Sequence, residues 1–116
     1  MAKAWKPVVV TEVDDLIAED WWELGSGAKK RVVHIAVGRA LPDPFGRDWY
    51  CPLLMEGFPP GLSQTLGRQA VYGVGPVDST MNAFQLIARV FHEFRPSPAP
   101  RPRKPPRALG PQKRGR

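Results

Sequence analysis

The last 22 residues, "RPSPAPRPRKPPRALGPQKRGR", contain seven prolines, eight Lys/Arg and no Asp or Glu, with Leu109 as their only large apolar side chain. Such a segment cannot bury enough apolar surface to offset the entropy lost on ordering. Residues 95–116 are therefore expected to be a disordered basic tail with short polyproline II stretches. The consequence falls on the rest of the chain. A core must come from residues 1–94 alone, and one cysteine offers no internal disulfide to staple it. That length supports one domain with one core.

The charge follows the same division. Residues 1–94 hold nine Lys/Arg against eleven Asp/Glu, a net of −2, so the overall +6 belongs to the tail. An argument from the alkaline pI to nucleic acid is an argument about the tail only. The N-terminal "MAKAWKPVVVTEVDD" has an apolar run of three valines before charge returns, too short for a signal-peptide core. No apolar stretch is long enough for a membrane span. With a lone cysteine, the expected setting is a reducing, cytoplasmic one.

The clearest element is a helix over "DSTMNAFQLIARVFHEF", with Asp78 or Ser79 as N-cap and Arg95-Pro96 as its stop. Ala83, Phe84, Ile87, Val90, Phe91 and Phe94 recur on one face of a 3.6-residue period. Pro76 is read as ending the preceding element. Three earlier segments read as strands. "RVVHIAVG" sets Val33, Ile35 and Val37 against Val32, His34 and Ala36. "DWYCPLLMEGF" puts Trp49, Cys51, Leu53 and Met55 on one face, and "RQAVYGVG" is a third strand with two similar faces. "RALPDPFGR" and "FPPGLSQTLG" are turn-rich loops. The segment "DDLIAEDWWELGSG" fits either a capped helix or a strand, and periodicity alone mildly favours the helix.

The order of "LIAED" (16–20), "AVGRALPDPFGRDWYCP" (36–52), "MEG" (55–57), "VYGV" (71–74) and "VDSTMNAFQLIA" (77–88) resembles a family of small bacterial domains of unknown function. Its members read I-A-E-R, I-G-x-P, D-W-x-C-P, E-G, a tyrosine-glycine strand and a terminal helix. The resemblance implies a four-stranded antiparallel sheet followed by one helix, which makes residues 17–24 a strand paired with 31–38. It carries no catalytic residues with it.

Cys51 is the one residue here whose chemistry invites a sharper reading. A nucleophilic or redox cysteine needs partial exposure and a base or cation beside it. Strand parity instead puts Cys51 with Trp49, Leu53 and Met55 on the face the helix covers, away from His34 and His92. A core thiol is the expectation. No close ligand pair, EF-hand spacing, P-loop or dinucleotide fingerprint occurs, so neither a cofactor nor a metal is expected.

The expected fold is α+β: a four-stranded antiparallel meander with a C-terminal helix on one face. It has an N-terminal arm (1–15) that can add an edge strand, a ββββα domain (16–94) and the tail. Trp22, Leu24, Val33, Ile35, Val37, Trp49, Cys51, Leu53 and Met55 should pack against Phe84, Ile87, Val90, Phe91 and Phe94. The opposite sheet face should expose Trp21, Val32, His34, Tyr50 and Leu54, a mixture suited to a partner protein or a second copy. The function expected is a non-enzymatic interaction module, an inhibitor, immunity or adaptor protein. The alternative is an accessory nucleic-acid binder. In it Arg101, Arg103, Lys104, Arg107, Lys113, Arg114 and Arg116 would contact phosphates without reading sequence.

Overall fold

The computed structural model describes residues 5–25, 27–58, 67–94 and 101–103. Strand β1 (Leu16–Leu24) turns through a short 3-10 segment (Gly27–Lys29) into β2 (Arg31–Gly38). A two-residue strand β3 (Leu41–Pro42) precedes β4 (Trp49–Glu56), followed by β5 (Gly67–Gly73), helix α1 (Pro76–Phe94) and β6 (Arg101–Arg103). All pairings are antiparallel. The four long strands form the expected meander, with α1 after them.

β4 is the hub. Its residues 49–55 pair with β5 along one edge. The other edge takes β2 at residues 53–56 and β3 at 49–50. β1 lies beyond β2, and β6 lies beyond β1. The ambiguous segment is strand because a partner is available. In β1, Trp22 opposes Val33 and Asp20 opposes Ile35, so its even-numbered side chains join the apolar face of β2. Tertiary pairing here overrides a helical local pattern.

The core lies between this face and α1. Val33, Cys51, Leu53 and Met55 are fully buried. Leu24, Ile35, Val37, Phe58, Ala83 and Val90 complete it. Helix α1 begins at Pro76 rather than after it. A proline has no N–H to lose at the first helical position, and Gly75 accepts the first helical bond from Ser79 N at 3.0 Å. Asp78 sits in the first turn, where its carboxylate accepts the Val74 N–H at 2.9 Å.

The buried face of α1 differs from expectation in one respect. Ser79, Ala83 and Val90 point inward, with Leu86 and Ile87 packed beside them, whereas Phe84 is 44% exposed. The cause lies at the end of β5. Gly73 backs directly onto the Ser79 backbone, and a Cβ there would collide with it. So close an approach requires small side chains on the contact line, which Ser79 and Ala83 supply, and it turns Phe84 to the outside. Trp49 is half-buried rather than core. The Phe94 side chain lies outside the described residues.

The described part of the N-terminal arm adds no strand: residues 5–14 have no regular structure. They run over the second sheet face instead. Trp5 Nε1 donates to Asp43 Oδ2 at 2.8 Å, and Val8 N donates to the Tyr72 hydroxyl at 2.7 Å. The Trp5 and Tyr72 rings meet edge to face at 5.7 Å. Within the segment expected to be disordered, Arg101–Arg103 pair with β1, Arg103 opposite Trp21 and Arg101 opposite Glu23. Pro102 is tolerated there because β6 terminates the sheet. The rest of the tail lies outside the described residues.

Candidate interaction surfaces

The second sheet face holds Trp21, Val32, His34, Tyr50 and Leu54 together, as parity requires. Trp21 opposes His34 across β1 and β2, His34 opposes Glu56, and Tyr50 opposes Tyr72. It is not an open face. Trp21 is 8% exposed and Leu54 7%, while Val32, His34 and Tyr50 are half-buried. Trp21 and His34 stack in parallel at 4.5 Å. His34 Nε2 lies 2.7 Å from Glu19 Oε2, and Nδ1 lies 3.4 Å from Glu56 Oε1. An ionised carboxylate only accepts, so both contacts are hydrogen bonds together when the ring is imidazolium. Strand parity groups this cluster but does not convey its closure: at the Tyr50 end the cover is an irregular arm, which has no periodic signal.

The arm also frames a cleft of about 450 Å³ above Tyr50, Pro52 and Leu41, with Val8, Val10 and Glu12 along one wall. At its rim Arg39 Nε pairs with Asp15 Oδ2 at 2.9 Å. Burial, with help from Tyr72 and Asp43 nearby, pushes the Tyr50 phenol above its ordinary value. Arg39 and Asp15 thus engage each other rather than the cleft.

Cys51 has no exposed surface, and its thiol donates to Gly38 O at 3.3 Å. Burial raises its pKa, and a hydrogen bond from Thr80 offsets part of that. A protonated, buried thiol is a poor nucleophile. Asp43, Tyr72 and Asn82 of the quoted pattern are likewise tied into the fold by hydrogen bonds. Asp43 accepts Phe45 N at 2.9 Å as well as Trp5 Nε1, and its own N–H donates to Asp48 O at 2.8 Å. The Tyr72 carbonyl accepts from Asn82 Nδ2 at 2.8 Å. Among the described residues no group of three or more His, Cys, Asp or Glu is placed to hold a metal ion. No described helix is long and apolar enough to cross a membrane.

The surface that sequence reasoning missed is the outer side of α1. Val77 is 70% exposed, Met81 52% and Phe84 44%, and Ala88 is exposed beside them. Val74, in the turn before the helix, extends the patch. Positions 77, 81, 84 and 88 are spaced four, three, four, the seam spacing of a helix made to pack on another helix. Next to this seam, a groove of about 140 Å³ opens between α1 and β1. Phe84, Ile87 and Phe91 line one side, Ala18 and Trp22 the other, and Asp20 sits at the edge. The signal was present in the sequence. It was absorbed into a single apolar face because Phe84 completes either stripe equally well.

Of the residues proposed for phosphate contact, Arg101 and Arg103 lie in β6. Lys104, Arg107, Lys113, Arg114 and Arg116 lie outside the described residues. No family model, curated protein or solved structure matches the chain.

Proposed function

We propose that this protein is a non-enzymatic interaction module of a reducing, cytoplasmic compartment, docking on another protein through the outer side of α1 and the groove beside it. The reading is carried by one observation: Val77, Met81 and Phe84 stay in water together, at helix-pairing spacing, in a fold whose other large apolar groups are mostly covered. A contiguous exposed apolar patch of this kind is characteristic of interaction sites. The sheet face first expected to bind has Trp21 and Leu54 buried, so the docking surface moves to the helix. A photoreactive phenylalanine analogue at position 84, compared with one at position 32 on the sheet face, tests this in cells. Protein adducts at 84 that disappear with Met81→Glu support the reading. Adducts at 32 alone, or at neither position, overturn it.

A second reading keeps the tail as a phosphate-binding arm, favoured by eight cations and no acid within 22 residues. Its mark is binding of mixed-sequence DNA and RNA by the full chain, with affinity falling steeply as salt rises. Binding insensitive to salt, or absent at low salt, removes it.

A further inference from the structure

Building on the interaction-module reading, we infer that the occupant of the α1 surface is a second copy of this chain, the two helices packing antiparallel about a two-fold axis. The seam is self-complementary in that orientation. With a rise of about 1.5 Å per residue, an axis between residues 82 and 83 brings Val77 level with the partner's Ala88, and Met81 level with the partner's Phe84. Val77 then meets a smaller side chain and Phe84 a more pliable one, and both layers occur twice by symmetry. The central layers set a thioether against an aromatic ring, a favourable contact. No charged residue lies on the seam between Val77 and Ala88.

Charge fixes the direction. On the exposed flank of α1, Asp78 stands at the N-terminal end, with Arg89 and His92 towards the C-terminal end. Antiparallel packing brings Asp78 within reach of the partner's Arg89, and the reverse. Parallel packing would carry the two Asp78 flanks to opposite sides of the seam and forgo this pairing. The groove completes the fit. A space of about 140 Å³ lined by Phe84, Ile87, Phe91 and Trp22 approaches the volume of an apolar cavity that takes up benzene. Isologous pairing also closes, so the exposed stripe is used up without leading to open-ended association.

Sedimentation velocity of the full chain over a concentration series tests the inference. The expected result is a reversible monomer–dimer equilibrium. Met81→Glu and Phe84→Glu should each weaken it by at least about tenfold, while Leu41→Glu, the same kind of change at an exposed site elsewhere, should leave it unaltered. Direction is read by mixing Val77→Cys and Ala88→Cys chains, which should cross-link to each other far better than Val77→Cys chains cross-link to themselves. A chain that stays monomeric at every concentration overturns the inference, as does a dimer indifferent to both Glu substitutions or a preferred Val77→Cys self-linkage. A monomer whose position-84 probe still captures a different protein leaves the interaction-module reading standing. A monomer with no adduct ends both.

Discussion

On one side of the sheet, α1 lies on Val33, Val37, Cys51, Leu53 and Met55, none of which is more than 1% exposed. On the other side, an irregular arm lies over Tyr50, Pro52 and Tyr72, held by hydrogen bonds through Asp43 and Tyr72. Further along that face, the Trp21–His34 stack is flanked by Glu19 and Glu56. The first cover is cohesive through area, spread over many apolar contacts. The second depends on a few directional bonds, each belonging to a nameable pair. The helix side should therefore resist any change short of a cavity, and the arm side should come away when one acceptor is lost.

Adjacent leucines in β4 offer the sharpest way to break this contrast. Leu53 points to the helix and is fully buried, while Leu54 points to the second face and is 7% exposed. Leu53→Ala removes atoms from the tightest part of the core and should cost about 3–5 kcal/mol, the upper part of the range for such truncations. Leu54→Ala, on the face that no helix covers, should cost about 2 kcal/mol. Urea denaturation of both variants decides the matter. Equal losses would mean that the sheet has two cores, not a core and a cover.

The acceptor at position 43 sharpens the comparison from the arm side. Asp43 is 5% exposed and takes hydrogen bonds from Trp5 Nε1 and Phe45 N. Asp43→Ala orphans both donors, for about 1–3 kcal/mol of stability. It should also free the arm, so limited proteolysis before residue 15 should speed up while the sheet and helix stay protected. Tyr72→Phe removes only the acceptor of Val8 N and should cost about 1 kcal/mol. An arm that remains protected in both variants would show that its packing, not its hydrogen bonds, holds it.

These two regions also mark what the sequence could say. Alternation in "RVVHIAVG" and "DWYCPLLMEGF" placed Val33, Ile35, Val37, Cys51, Leu53 and Met55 on the buried face, because a period of two leaves little choice once one face is apolar. It also grouped Val32, His34, Tyr50 and Leu54 on the other, whereas Trp21 joined them only through the resemblance that made residues 17–24 a strand. What it did not convey was cover by residues with no period of their own. Residues 5–14 gain their place from the Asp43 and Tyr72 acceptors, thirty or more positions away. The same limit explains α1. Ala83 rather than Phe84 faces inward because Gly73 lets the strand end press on Ser79, a tertiary constraint that an amphipathic pattern does not carry. Similarly, residues 101–103 join the sheet only because β1 has a free edge to receive them.

Cys51 allows the dry side to be probed by pH. Burial raises its thiol pKa above the ordinary 9.0, with the Thr80 hydrogen bond offsetting part of the rise. The folded chain therefore keeps a proton that the unfolded chain releases near that pH. Stability from this source is complete below about pH 9 and declines as pH climbs towards the folded value. Tyr50, raised from 10.0, adds a second decline of the same sign starting higher. Cys51→Ala should remove the earlier decline and leave the later one, as read from urea midpoints between about pH 8 and 11. An unchanged slope would mean that the native thiol ionises as freely as the unfolded one.

The smallest effect on the isolated fold should come from Phe84, and its size should depend on how much protein is present. Phe84 sits one residue from fully buried Ala83 yet is 44% exposed. Phe84→Ser in dilute solution should therefore change stability by no more than about 0.5 kcal/mol, the range for surface sites. If two copies pair through α1, the native chain gains stability by mass action as concentration rises, because association draws only on the folded form. The variant lacks the contact that drives pairing and should gain almost nothing. The midpoint difference between the two should thus widen steadily with concentration. A constant difference would place Phe84 among the ordinary exposed side chains. A large difference already present at high dilution would place it in the core that its neighbours form.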